Sequence, residues 1–89
     1  MARIKITPEQ IREVAKQFSQ SGTQSQEMVT RLTNTINGMQ SDWEGMTSQR
    51  FYGDFQQWSG QMSKFVELLN SISTQLSQIA DRFSSADQQ

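Results

Sequence analysis

An all-α fold, a hairpin of two long antiparallel helices, is predicted by three features of this 89-residue sequence. Phe51, Phe55, Trp58, Met62, Phe65, Leu69, Ile72, Leu76, Ile79, Phe83 and Ala86 recur in unbroken alternating steps of four and three. That period of 3.5 keeps one apolar stripe facing a neighbouring helix, whereas a strand changes face every two residues. A second stripe of helical spacing fills the first half of the chain, and Trp43-Glu44-Gly45 sits between the two as a turn.

The first helix should start at Thr7-Pro8-Glu9-Gln10, where Thr7 can cap, Pro8 suits the first helical position and Gln10 can reach back to complete a capping box. Its stripe runs Ile11, Val14, Phe18, Met28, Leu32 and Met39, with Ala15, Val29, Ile36 and Trp43 on the adjoining flank. A stripe of that width suggests two neighbours rather than one. Ser21 and Ser25, with Gly22 alongside, occupy its middle. Small residues there let backbones approach closely, and an antiparallel copy of the same helix would cross at that point on a two-fold axis. Alternatively, Ser21-Gly22 merely weakens the helix, since an interior Gly costs ~1 kcal/mol relative to Ala. On the first reading the dimer interface is Ile11, Val14, Ala15, Phe18, Ser21, Gly22, Ser25, Met28, Val29, Leu32 and Ile36.

Asn37-Gly38 could end this helix, yet Met39 and Trp43 keep its spacing, so helix 1 is assigned to about residues 8–40 and the turn to about 41–47. Thr47 or Ser48 would then cap helix 2, which runs over about residues 48–86. The core of the hairpin is assigned to Phe51, Phe55, Trp58, Met62, Phe65, Leu69, Ile72, Leu76 and Ile79. Trp58-Ser59-Gly60 repeats the Trp-x-Gly pattern, but Trp58 belongs to the unbroken heptad, so a turn there would destroy the register downstream. Trp58 is therefore read as core. The whole chain, residues 1–89, forms one domain.

Composition narrows the function. Two helices of this length make a rod of roughly 50–60 Å with little interior, which calls for a partner to complete a four-helix arrangement. Eight Lys and Arg, scattered along the chain, offset nine Asp and Glu; nucleic acid is an unsuitable ligand, because phosphate binding needs a concentrated positive face. With no Cys and no His, disulfides, thiolate chemistry and the commonest metal ligand and general base are missing. Asp42, Glu44 and Asp54 lie near the turn without a nucleophile or ligand set, and read as solvated charges. No catalytic residue, metal or cofactor is expected. Gly53 and Gly60, seven apart on the outward face of helix 2, form no phosphate loop and offer at most a docking surface. The N-terminal residues have no signal-peptide core of apolar residues, and no stretch approaches the ~20 apolar residues of a membrane span.

Trp43-Glu44-Gly45 at the centre, the flanking amphipathic helices, the length, and the aromatic-x-x-x-Asp of Phe83 and Asp87 together resemble the WXG family of ESAT-6-like proteins, with the Firmicutes relatives resembling this chain best. The similarity covers essentially the whole chain. It implies a hairpin that dimerises into an antiparallel four-helix bundle, folds in the cytoplasm and is secreted by a type VII (ESX-like) system without a cleaved signal peptide. It also implies an export signal in two parts, Trp43 and Gly45 at the turn and Phe83 and Asp87 in the tail, with Phe83 in place of the usual Tyr. A helix carries Phe83 some 50 Å from its own turn, so the signal is expected to be composite, the turn of one protomer beside the tail of the other.

The expected function is thus a small secreted type VII substrate or adaptor, non-enzymatic, with a second copy of itself and the secretion ATPase as partners; a related chain could replace the second copy on the same face. Two rivals belong to other classes. The apolar stripe could insert into a membrane surface, although its polar face carries few Lys and Arg. The hairpin could also be a cytoplasmic scaffold, or a chaperone for a toxin.

Overall fold

In the computed structural model of the chain the described residues are 6–40, 42, 43 and 45–87, with backbone alone at 47, 86 and 87. Helix α1 spans Pro8–Met39 and helix α2 spans Met46–Asp87. Among the described residues there is no strand, and the two helices pack antiparallel along their length. The rod measures 66 × 21 × 17 Å.

Thr7 starts α1 as its sequence requires. The Gln10 amide donates to Thr7 Oγ1 at 3.1 Å and the Thr7 amide donates to Gln10 Oε1 at 2.8 Å, so two amide donors near the helix start are satisfied reciprocally. Pro8 takes the first helical position, and Glu9 complements the positive end of the helix.

The seam between the helices is narrow and built largely of small side chains. Ile11, Ala15, Gly22 and Val29 of α1 are buried, as are Ser48, Val66, Leu69 and Ala80 of α2. At the middle, a Cβ added to Gly22 would lie 2.7 Å from Asn70 Oδ1 and 3.7 Å from the Cβ of Leu69. Ser73 donates its hydroxyl to the Ala15 carbonyl at 2.7 Å, and Arg12 meets Asp81 at 2.7 Å near the open end of the hairpin. The close approach expected at Gly22 thus joins the two helices of one chain. A glycine facing a side chain rather than a backbone explains this, because α2 can settle into the space that a Cβ would fill.

The apolar stripe of α2 is divided by this packing. Phe55, Met62, Leu69, Leu76 and Phe83 share the side that meets α1, together with a parallel row, Tyr52, Ser59, Val66, Ser73 and Ala80, that carries few large residues. The row Phe51, Trp58, Phe65, Ile72 and Ile79 lies round the outer edge. Phe65 and Ile79, expected in the hairpin core, are 45% and 39% exposed. Among the described residues no large side chain is fully enclosed, and the chain exposes 7126 Å², against about 5300 Å² for a compact monomer of its mass.

In urea denaturation at fixed protein concentration, Gly22→Leu is expected to cost about 1–3 kcal/mol by overpacking the seam. Gly22→Ala should be near neutral, its helical gain of ~1 kcal/mol offset by displacement of Asn70. A Gly22→Leu chain as stable as the parent would show that the helices do not meet there. Ser73→Ala should cost about 1 kcal/mol through the lost bond to Ala15. Arg12→Ala should cost less than about 1 kcal/mol, and nothing in molar salt, because that pair is largely exposed.

Candidate functional site

The turn is a tied knot rather than a loose loop. At the end of α1 the Met39 carbonyl accepts from the amides of Asp42 and Trp43 at 3.0 and 3.1 Å. Gly45 has φ +120°, a conformation that side-chain-bearing residues rarely adopt, and a Cβ there would meet nothing within 4 Å. Backbone conformation, not crowding, is thus what requires glycine. Helix α2 begins directly after it, at Met46, two residues before the expected start. The Gly45 carbonyl accepts the first helical bond from the Gln49 amide at 3.2 Å and a second bond from the Ser48 hydroxyl at 2.7 Å. Ser48 is therefore not the cap. It sits inside the first turn, 3% exposed, with its hydroxyl donating back to the cap residue.

Trp43 is half-buried and lies against Phe51 and Tyr52, ring centroids 5.3 and 6.1 Å apart. The stack continues along α2 through Phe51–Phe55 at 6.3 Å and Phe55–Trp58 at 5.4 Å. Each contact joins residues three, four, eight or nine apart on a helix and its incoming turn, so the helix itself holds the indole in place. Met46, at the head of α2, is 87% exposed.

Phe83 is half-buried near the other end of the rod. The helical rise places it about 55 Å from Gly45. One chain therefore does not bring Trp43 and Gly45 together with Phe83 and Asp87; the Asp87 side chain lies outside the described residues.

Between the two ends, one flank of the hairpin is apolar and open. Val14, Leu32 and Met39 of α1 and Phe65, Leu68 and Ile79 of α2 are all exposed large hydrophobics, with Phe18, Met28, Phe51, Trp58 and Ile72 half-buried near them. Of the residues expected at a dimer interface, Val14 and Leu32 are open on this flank, and Ser21 borders a dimple against Gln17, Phe18 and Leu69. Ser25 and Ile36 are half-buried, while Ile11, Ala15, Gly22 and Val29 turn inward to α2. Sequence reasoning missed Leu68, which falls outside the regular stripe and is 56% exposed. It also missed the small-residue row of α2, whose only signal is the same 3.5-residue spacing one position along from the large residues.

Among the described residues no group of three or more His, Cys, Asp and Glu is placed to hold a metal, and no helix is long and apolar enough to cross a membrane. What the arrangement offers is surface, namely two ends and an apolar edge.

Known proteins share both the sequence and the shape. The family model described as WXG100, proteins of 100 residues with WXG, matches residues 3–88. The chain is 37% identical over 89 residues to the type VII secretion system extracellular protein A of Staphylococcus aureus strain USA300, covering all of this chain and 92% of that one. A crystal structure of the secreted protein EsxB from Bacillus anthracis strain Sterne superposes with a TM-score of 0.88 at 38% identity, covering 98% of this chain and 99% of the other. Geobacillus thermodenitrificans EsxA gives 0.87 at 31% identity, over 97% and 94%. A two-helix hairpin with a Trp-Glu-Gly turn, matched from end to end, places this chain in the WXG100 family of small type VII secretion substrates.

Proposed function

We propose that the chain is a non-enzymatic type VII substrate and adaptor, exported after folding as an antiparallel homodimer. The observation that carries this reading is the open apolar flank. Six large hydrophobic residues along it are more than a third exposed, and a contiguous apolar face of that kind marks a contact surface. A second hairpin laid against it, head to tail, would complete a four-helix bundle around one core. The same patch on each copy serves both, as two-fold pairing requires.

Antiparallel pairing also supplies what the single rod lacks. The turn of one protomer would come beside the tail of the other, so Trp43 and Gly45 of one chain and Phe83 and Asp87 of its partner would form one recognition surface for the secretion ATPase at each end. The locked turn supports this role, since a preformed surface loses little conformational freedom on being recognised. Insertion of the apolar flank into a membrane surface is the rival use of the same residues, and liposome leakage at neutral pH would favour it.

Phe65→Gln combined with Ile79→Gln should leave helicity unchanged by circular dichroism and halve the mass seen by light scattering at micromolar concentration; an unchanged mass would count against the pairing face. Export should show complementation. A Trp43→Ala chain and an Asp87→Ala chain, each retained when produced alone, should be exported together at about half the parental level, because half of the random pairs then carry one intact composite end. If both halves of the signal act within one chain, the mixture stays in the cell.

A further inference from the structure

Sulfur is confined to methionine in this chain, which has five Met and no Cys. Two of the methionines lie on the open apolar flank. Met39 is 41% exposed there and Met28 is half-buried. Met28, Leu32 and Met39 follow one another in steps of four and seven, which keeps all three on one face of α1. Met62, half-buried, is on the side of α2 that meets α1. Met46 differs from these: it is 87% exposed and shares a row with Gly53, Gly60 and Glu67 on the outer face of α2, away from the flank.

A thioether is apolar and flexible, which suits it to an apolar contact. Addition of one oxygen reverses that character, because methionine sulfoxide is polar and chiral. The large residues exposed beside Met28 and Met39, namely Val14, Leu32, Phe65, Leu68 and Ile79, carry no side-chain hydrogen-bond donor. Water is therefore the natural partner of a sulfoxide on this flank, and a second copy laid over it would strip that water away. Two-fold pairing doubles the effect, since the same patch on each copy enters the contact and brings two sulfurs with it.

We propose that Met28 and Met39 form an oxidant-sensitive site whose substrate is a hydroperoxide and whose oxidation keeps the chain unpaired. The inference rests on the pairing of two copies through the apolar flank. In the unpaired chain, a lone pair of the thioether sulfur attacks one oxygen of hydrogen peroxide. The O–O bond breaks and an S–O bond forms; the departing oxygen takes the proton of the transferred one and leaves as water. Sulfur loses two electrons and the peroxide gains them. In the pair the same sulfurs are covered, so pairing and oxidation exclude each other, as any two events that compete for one state must. A chain that meets its partner first is protected, and a chain that meets oxidant first stays single until a methionine sulfoxide reductase removes the oxygen.

Light scattering of the purified chain at micromolar concentration tests this, with the sites of oxidation read by peptide mass spectrometry. Untreated chain should be paired. Peroxide should oxidise Met46 at a rate independent of protein concentration, but Met28 and Met39 more slowly as concentration rises and pairs form. Once Met28 and Met39 carry oxygen, association should weaken about a hundredfold and the scattering mass should fall to one chain, with helicity by circular dichroism retained. Reductases for both sulfoxide epimers should restore the pair. Met28→Leu with Met39→Leu, close in volume to the parent, should stay paired through the same treatment while Met46 is still oxidised. A parent chain that is paired before treatment and still paired after it would overturn the proposal and leave the pairing standing, whereas an untreated parent that is already single overturns both. Loss of pairing in the leucine variant assigns the effect to another methionine, and loss of helicity makes it plain unfolding; either result overturns the proposal. So does oxidation of Met28 and Met39 at a rate indifferent to concentration.

Discussion

Two helices meet along a single seam, and this sequence carries enough large apolar residues for more than one. The rest of the molecule follows from that surplus. The seam takes Ile11, Val29, Val66 and Leu69 and fills the remainder with Ala, Ser and Gly, leaving Phe65, Leu68 and Ile79 outside. The radius of gyration, 20.0 Å, compares with about 12 Å for a compact domain of this length. Such a rod has no interior in which to hide the excess, and it presents a face instead.

Small side chains in the seam have a second effect. They let α2 come close enough for Ser73 to reach the backbone carbonyl of Ala15 and for Asn70 to lie over Gly22. The Ser73 bond is directional and the fit of Asn70 over Gly22 is specific to one position, whereas burial of large side chains against one another is neither. They therefore set the register of one helix against the other at its middle, while the capping box at Thr7 and the doubly bonded Gly45 carbonyl fix an end of each helix. Register matters here because a slide of one helix along the other would change which residues the open flank displays.

Much of this was legible in the sequence, and the remainder was hidden for identifiable reasons. The helical period, the start at Thr7-Pro8 and the turn at Gly45 each rest on local chemistry that neighbouring residues cannot override. Division of the α2 stripe was not legible, because large residues at both edges of a broad stripe look equally suited to the core; which edge turns inward depends on how small the opposing residues of α1 are. Gly22 was recognisable as a point of close approach but not as one within the chain, since spacing is silent about whose backbone approaches. At the ends, the Trp43-Glu44-Gly45 motif marked the right place, yet it gave no hint that Ser48 would tie the knot from inside α2.

The length of the rod carries one more consequence. Two long helices set the tips of the chain 66 Å apart along the rod, so the head-to-tail pair proposed above would be a gauge with identical marks at either extremity. Such a pair would be bivalent. It would bridge two receptors whose spacing matches its own length, the second engagement being favoured by proximity rather than by any new contact.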